Sequence, residues 1–220
     1  MKNTAIGKIG AALTGVAIVV FAVSMLIGII SGQNTKYLSF FVSMIIAMGY
    51  LMLAAGVASV NTDLQKTAAG YTGLAFGTVY AVLIFIVYYA ELTTVRLNDS
   101  LSAETLSIIS YSHTGSLFFN FNLLGYGFMA LSTFFIGFTV RPKNKCDRAF
   151  QALLWIHGVF FLSCLIMPMT GVFTMDTPDV AGIVILEFWC VFFLPICILG
   201  WKYLSCMARN KTDNIVSVRG

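Results

Sequence analysis

Six long apolar blocks are the feature that most limits how this chain can fold. Each block exceeds the ~20 residues that an α-helix needs to cross the hydrocarbon core of a bilayer. Only 10% of the 220 residues are charged, whereas a soluble domain has about 25%, so the chain has too few charges for a water-facing surface. The blocks are residues 9–30, 37–60, 68–92, 116–140, 149–173 and 180–203.

These blocks predict helices rather than strands. Backbone N–H and C=O groups find no water in the bilayer core, so a spanning segment must be a helix or part of a closed barrel. Barrel strands have about 10 residues of alternating polarity, and these blocks are longer and do not alternate. We expect an all-α polytopic membrane protein. Its six transmembrane helices form one bundle over residues 1–206, and residues 207–220 form a polar cytoplasmic tail without fixed structure.

The distribution of basic residues predicts the orientation of the bundle, because Lys and Arg accumulate in cytoplasmic loops. If the N-terminus is cytoplasmic, Lys36 and Arg96 are the only two of the 13 Lys and Arg residues outside. Both termini are then cytoplasmic, and we expect a multi-pass protein in the lipid bilayer of the cell membrane. The net charge of +4 is spread over short membrane-flanking loops, so no nucleic-acid partner is expected.

Small residues at four-residue spacing predict the closest helix contacts, because they let two backbones approach each other in a membrane. Such a row lies on the third helix, and a weaker one lies on the first. The rows are Ala69, Gly73, Gly77 and Ala81, and Gly7, Ala11 and Gly15.

Two further local features bear on the shape of the helices. Pro168 and Pro195 are expected to interrupt the fifth and sixth helices, because proline removes a backbone hydrogen bond and usually kinks a helix. The longest connection, residues 93–115, lies on the outer side. It is either a short amphipathic helix, with Leu101, Thr105, Ile108 and Ile109 on one face, or a polar mobile loop.

Glu187 is the residue that points to a site. It lies in the apolar run VILEFWCVFFLPIC (residues 184–197), roughly 10 Å from the outer end of the sixth helix at ~1.5 Å per residue. A charged side chain at the bilayer centre costs ~2.5–3.5 kcal/mol on insertion scales, so such residues normally face the bundle interior and mark functional sites. We therefore expect Glu187 to face the interior.

Polar and aromatic residues on the outer halves of other helices complete a candidate pocket, since a small-molecule site is an apolar wall with a few polar groups. We expect an outward-facing pocket with Glu187 as its polar anchor. The predicted ligand-binding residues are Glu187, Glu91, Asn120, Asn122, His113, Tyr88 and Trp189, within a wall that includes Phe118, Phe119 and Phe121. Alternatively, Glu187 makes an interhelical hydrogen bond that only fixes packing, or its carboxylate reaches the outer surface.

No cofactor and no metal site is expected. His157 and Cys164 share a face of the fifth helix, and Cys190 and Cys197 share a face of the sixth. Antiparallel neighbours would pair them at two levels ~10 Å apart, too far for one metal ion with ligand bonds of ~2.0–2.3 Å. The sequence also contains no Walker loop, HExxH or GxSxG motif, which argues against an enzyme.

Two segments carry a resemblance to other proteins. The run YAVLIFIVYYAELTTVR, followed after the outer loop by LLGYGFMALSTFF, resembles a recurring pattern in uncharacterised bacterial six-helix membrane proteins. It covers the third and fourth helices. The resemblance implies a six-helix bundle and assigns no activity and no functional residue.

The function that the sequence favours is small-molecule binding or transport through the outward-facing pocket. A second interpretation is a non-catalytic structural or accessory subunit that contacts a partner membrane protein. An intramembrane enzyme, with Glu187 as its acid, is third. Ligand-induced thermal stabilisation would separate the first from the second, and a turnover assay would test the third.

Overall fold

The computed structural model describes residues 3–32, 34–173 and 179–219, with side chains described only from 184 to 209 within the last helix. All regular secondary structure in these ranges is helical. The α-helices are α1 (Asn3–Ser31), α2 (Lys36–Ser59), α3 (Thr67–Ala90), α4 (Ala103–Ile109), α5 (Leu117–Thr139), α6 (Lys145–Gly158), α7 (Phe160–Met169) and α8 (Asp179–Arg219). A 3-10 turn (Leu64–Lys66) precedes α3, and a π-helical turn (Glu91–Val95) follows it.

Six helical segments within the described ranges are long and apolar enough to cross a membrane, which confirms the all-α, multi-pass prediction. They are Asn3–Ser31, Lys36–Ser59, Leu64–Val95, Leu117–Thr139, Lys145–Met169 and Val184–Arg209. Because the number of spans is even, α1 begins and α8 ends at the same end of the bundle, here called the terminal end. The long connection that contains α4 lies at the opposite end, here called the loop end.

The spans differ in how deeply they are enclosed. Helix α2 packs against α1, α3, α5 and α8 and is the most buried span, whereas the span formed by α6 and α7 is the least buried. At the terminal end, the Arg141 side chain donates to Thr62 Oγ1 (2.6 Å) and lies 3.5 Å from the Asp63 carboxylate. These contacts join the connections after α2 and α5.

The glycine contact, formed by Gly7 and Gly10 of α1 with Gly49 and Gly56 of α2, is the closest helix packing in the described bundle. A Cβ atom placed on Gly10 would lie 2.7 Å from Met52 Cβ and closer still to two α2 backbone atoms. These distances are shorter than any real Cβ contact, so only glycine fits. The expected row on the first helix faces two neighbours, since Gly7 meets α2 whereas a Cβ on Gly15 would make ordinary contacts with Cys197 and Leu194 of α8.

The row on the third helix is confirmed as a close-packing face. A Cβ on Gly73 would lie 2.8 Å from Ile136 Cγ1, and one on Gly77 would lie 2.9 Å from Ser132 Oγ. The Ser132 hydroxyl donates to the Gly73 carbonyl oxygen at 2.5 Å. The small residues on α3 thus allow the backbone of α5 and the Ser132 hydroxyl group to approach closely.

Pro168 and Pro195 do not interrupt the fifth and sixth spans as expected. Helix α8 continues through Pro195, and the fifth span breaks at Val159, while Pro168 lies in the last turn of α7. At the break, the Val159 and Leu162 N–H groups each donate to a carbonyl three residues earlier, at 3.1 Å. A Cβ on Gly158 would lie 2.7 Å from Phe134 Cβ, so close packing on α5 accompanies the break.

Two connecting regions also adopt helical structure. The long connection contains α4, begun by Ser102, whose hydroxyl accepts the Thr105 N–H at 3.1 Å. Its Ile108 side chain is exposed. Helix α8 continues to Arg219, so residues 207–219 extend the sixth span as helix, and the expectation of a tail without fixed structure is wrong for them.

Candidate functional site

A cavity of about 270 Å³ lies at the loop end between α5, α7 and α8. Residues 110–116, here called the covering segment, lie over it, and one residue of α1 contributes to its wall. Aromatic side chains make up much of this wall, so we call it the aromatic cavity. Its wall consists of Met25, Tyr111, Ser112, Thr114, Phe119, Asn122, Leu123, Tyr126, Phe160, Ser163, Cys164, Phe173, Ile185, Leu186, Phe188 and Trp189.

Helical periodicity explains which side chains reach the cavity. Phe119, Asn122, Leu123 and Tyr126 follow the i, i+3, i+4, i+7 spacing of one helix face, and this face of α5 forms one side of the cavity. The Trp189 ring of α8 packs edge-on against Tyr126, with ring centroids 5.2 Å apart. The cavity therefore occupies space that large rings leave between helices.

A second cavity of about 360 Å³ adjoins the first. It lies between the loop-end halves of α1 and α2, and its wall includes Lys36, Phe40 and Tyr88. The two cavities share four wall residues, here called the partition. The partition consists of Met25, Tyr111, Ser112 and Leu186.

Tyr88 and Asn122 form a hydrogen bond that joins the walls of the two cavities. The Asn122 side-chain amide donates to the Tyr88 hydroxyl at 2.9 Å, and both side chains are buried. The Tyr88 ring also packs against Tyr111 and stacks on Phe40, with centroids 5.4 and 5.1 Å apart. Burial is the largest cause that raises the pKa of Tyr111; a hydrogen bond with Tyr88 lowers the pKa, and the nearby Glu91 raises it. The net shift is upward, so the Tyr111 hydroxyl stays protonated at neutral pH.

Glu91 holds the covering segment in place. Its carboxylate accepts the backbone N–H of Tyr111 at 2.6 Å and the hydroxyl of Ser110 at 3.3 Å, and only 2% of its surface is exposed. The carboxylate lies in the π-helical turn that ends the third span. We expected Glu91 near the mouth of a pocket, and the structure places it behind Tyr111 as the attachment point of the segment.

His157 connects three spans behind the aromatic cavity. The Trp189 indole N–H donates to His157 Nε2 at 3.1 Å, so the proton of a neutral imidazole is on Nδ1. Nδ1 lies 2.8 Å from Thr133 Oγ1, and the Thr133 hydroxyl bonds to the Ala130 carbonyl oxygen at 2.8 Å. Both ring nitrogens are thereby used within the protein, and the network fixes the orientation of Trp189 in the cavity wall.

Glu187 lies outside the described walls of both cavities. It is half-buried, and its Oε1 atom is buried without a hydrogen-bond partner among the described residues. It precedes Leu194 by two helical turns and shares its face of α8. The α1–α8 contacts pair Gly7 with Leu204 and Gly15 with Cys197, and this antiparallel register extends to place Glu187 level with the loop-end third of α1.

The other expected site residues separate into three groups. Asn122 and Trp189 line the aromatic cavity, and Tyr88 lines the adjoining one. Asn120 donates from its side chain to the Gly115 carbonyl oxygen at 3.1 Å, and His113 is exposed in the covering segment. Of the expected aromatic wall, Phe119 lines the aromatic cavity, while Phe118 and Phe121 pack against the core.

Sequence reasoning missed several wall residues. Phe160, Ser163 and Cys164 form one face of α7, and the i, i+3, i+4 spacing could have identified that face. Tyr111 and Ser112 come from an irregular segment whose position depends on Glu91. No local pattern signals their place in the wall.

The described residues contain no group of three or more His, Cys, Asp or Glu side chains that could hold a metal ion. Comparisons with protein-family models, with curated proteins and with solved structures found no match to this chain.

Proposed function

We propose that this membrane protein binds or transports a small molecule through the aromatic cavity, with the loop end facing outward from the cell membrane. The observation that carries the proposal is the cavity itself: four spans and the covering segment converge on it with aromatic rings and a few hydrogen-bonding groups. That composition is typical of small-molecule sites. The excess of Lys and Arg near the terminal end supports the orientation.

The wall indicates the class of ligand. No Asp, Glu, Lys or Arg is among the described residues of the aromatic cavity. Its polar side chains are those of Asn122, Ser112, Thr114 and Ser163, with the hydroxyls of Tyr111 and Tyr126. An ionic ligand would lose its hydration there without gaining an opposite charge. The volume of about 270 Å³ lies just below the usual range of ~300–1,000 Å³. The proposed ligand is therefore a small, uncharged aromatic or apolar molecule with one or two hydrogen-bonding groups.

In this proposal the polar anchor is Asn122 rather than Glu187. Asn122 lies in the wall, and its bond to Tyr88 uses one of the two N–H groups of its amide. Glu187 lies outside both described walls. A cationic ligand bound by Glu187 is accordingly not part of the proposal.

Tryptophan fluorescence tests the site directly. The chain has three Trp residues, and Trp155 and Trp201 are exposed while Trp189 lines the cavity. The double variant Trp155→Phe/Trp201→Phe leaves Trp189 as the single reporter. We expect 4-bromophenol, an uncharged aromatic with one hydroxyl and a quenching bromine atom, to quench Trp189 saturably in detergent micelles.

A matched pair of substitutions in α7 locates the quenching. Ser163→Phe adds a ring inside the cavity, whereas Leu162→Phe adds one at an exposed neighbouring position. We expect the first to remove the saturable component and the second to preserve it. Quenching that rises linearly with 4-bromophenol, or that persists equally in Ser163→Phe, would contradict the proposal.

A second candidate function is a structural or accessory subunit without a ligand. It is favoured by the internal bonding of the polar residues, since Glu91, Asn122 and His157 all find partners within the chain. On this view the polar network only orients helices, and the protein contacts a partner membrane protein through another surface. A wild-type protein whose melting temperature and Trp189 emission do not respond to any uncharged aromatic probe would support this candidate.

A further inference from the structure

An apolar groove of about 490 Å³ lies between α1 and α8 on the surface of the bundle. Small residues, Ala11, Ala12 and Gly15, line it on the α1 side. The exposed side chains of Val16 and Ile198 stand on its two sides. We call it the α1–α8 groove, and it is separate from the aromatic cavity.

Positive charge gathers at one end of this groove. Lys202 lines the groove at the terminal end, beside the partly exposed ring of Trp201. The Lys8 ammonium lies over that ring, 5.5 Å from its centroid. Within the part of the chain that the structure describes, the one ion pair is Arg141 with Asp63, so neither lysine is neutralised by a described carboxylate.

The length of the groove matches one leaflet of a bilayer. On α1 it runs from Ala11 to Val20, about 14 Å at 1.5 Å per residue. That is about half of the ~30 Å hydrocarbon core. The groove thus starts near the charged boundary of the membrane and ends near the bilayer midplane, which is the depth that one acyl chain occupies.

The lining of the groove suits an acyl chain. Apart from Lys202 at its terminal end, the described lining consists of apolar or small side chains, and it follows the helix axis over about 14 Å. A thin, flexible, apolar chain therefore fits along the groove, with a charged group at the end that carries the lysines.

We propose that the α1–α8 groove binds one anionic phospholipid, with an acyl chain along the groove and the phosphate between Lys8 and Lys202. The apolar walls receive the chain, and the two ammonium groups neutralise the headgroup charge. Trp201 lies at the level of the interface, where tryptophan is enriched in membrane proteins.

Native mass spectrometry of the detergent-solubilised full chain tests this proposal. Phosphatidylglycerol and phosphatidylcholine with identical acyl chains are titrated separately, so that only the headgroup charge differs. We expect one phosphatidylglycerol to bind per chain, with a marked preference over phosphatidylcholine. The double variant Lys8→Gln/Lys202→Gln should lower phosphatidylglycerol affinity about 25-fold, roughly fivefold for each lysine, and remove the preference.

Two further variants separate the charged end from the apolar groove. Ala12→Leu places side-chain atoms in the groove and should weaken both lipids equally. Lys145→Gln removes an exposed lysine at the same end but outside the groove wall and should change neither affinity. Circular dichroism checks that each variant keeps its helical content.

Three outcomes would overturn the proposal. One is equal binding of the two lipids to the wild-type chain, and another is an unchanged phosphatidylglycerol preference in Lys8→Gln/Lys202→Gln. The third is a lipid-free dimer that Ala12→Leu dissociates, which would assign the groove to a second copy. None of these results bears on the aromatic cavity, which lies at the loop end.

Discussion

The glycine contact between α1 and α2 and the aromatic region between α5, α7 and α8 differ in how closely their helices approach each other. In the glycine contact, backbones touch and no side-chain volume separates them. In the aromatic region, rings such as Tyr126, Phe160 and Trp189 hold the helices apart and leave a cavity of about 270 Å³. Backbone contacts leave no room for a ligand, whereas bulky, irregular rings create it.

Close packing and cavity space are therefore separated within one small bundle. The α1–α2 pair is closely packed and is further joined by the Ser24 and Ser39 hydroxyls, 2.8 Å apart. The aromatic region depends instead on hydrogen bonds that orient individual rings, notably Trp189 through His157. If this division holds, substitutions in the two regions should differ in the size of their effect on stability.

The largest effect is expected from Gly10→Ala. A single added carbon would overlap Met52 and two backbone atoms of α2, and overpacking costs ~1–3 kcal/mol, occasionally more. Because backbone cannot move aside easily, we expect a loss of about 3 kcal/mol, measured as a lowered melting temperature in detergent.

Gly15→Ala is the matched control on the same helix. A Cβ there would make ordinary contacts of 3.5 Å with Cys197 and 3.8 Å with Leu194, and alanine is favoured over glycine in a helix by ~1 kcal/mol. We expect no loss of stability. Equal melting temperatures for the Gly10→Ala and Gly15→Ala variants would show that the glycine contact is not as close as described.

A smaller effect is expected from His157→Phe in the aromatic region. The ring shape is roughly kept, but the Trp189 N–H loses its acceptor and Thr133 loses a partner. An unsatisfied buried group costs ~1–3 kcal/mol, so we expect a loss of about 2 kcal/mol by calorimetry, with altered Trp189 emission.

His113→Phe is the control, because His113 is the other histidine of the chain and is exposed. It should leave both the melting temperature and the emission unchanged. A silent His157→Phe variant would show that the rings hold their positions by packing alone.

The smallest effect, and one of opposite sign, is expected from Glu187→Leu. Glu187 lies on α8, which packs against α1, and its Oε1 is buried with no described partner. Removing an unpaired polar group from a half-buried position should raise stability by about 1 kcal/mol, visible as a higher melting temperature.

Glu91→Leu makes the same change at a carboxylate that has partners. It should lower the melting temperature, since the Tyr111 N–H loses its acceptor. A Glu187→Leu variant of lower stability would show that Glu187 has a partner. Glu187 would then make an interhelical hydrogen bond that fixes packing.

The number of spans could be predicted from the sequence because the thickness of a bilayer sets the length of an apolar helix. The α3 face at Gly73 and Gly77 was also predictable, since four-residue spacing is a local property of one helix. The partners of Gly10 were not, because they depend on which helix lies beside α1. The same holds for the network of His157, Thr133 and Trp189, whose members come from three spans.

The candidate site was predictable only in composition. An apolar wall with a few polar groups at one end of the bundle follows from the residues, and Asn122, Trp189 and Phe119 do line the aromatic cavity. The rotation of α8 decides whether Glu187 or Trp189 faces that cavity, and packing against its neighbours fixes this rotation. The covering segment has no periodic pattern, so no local feature of the sequence predicts that Tyr111 lies in the cavity wall.

The attachment of the covering segment has an evolutionary consequence. Glu91 accepts a hydrogen bond from the main-chain N–H of Tyr111, which every residue except proline possesses. The residue at this position can therefore change its side chain, and with it the surface presented to both cavities, while the segment stays attached. Successive substitutions at this single position can therefore reshape the wall of both cavities without passing through an unfolded or detached intermediate.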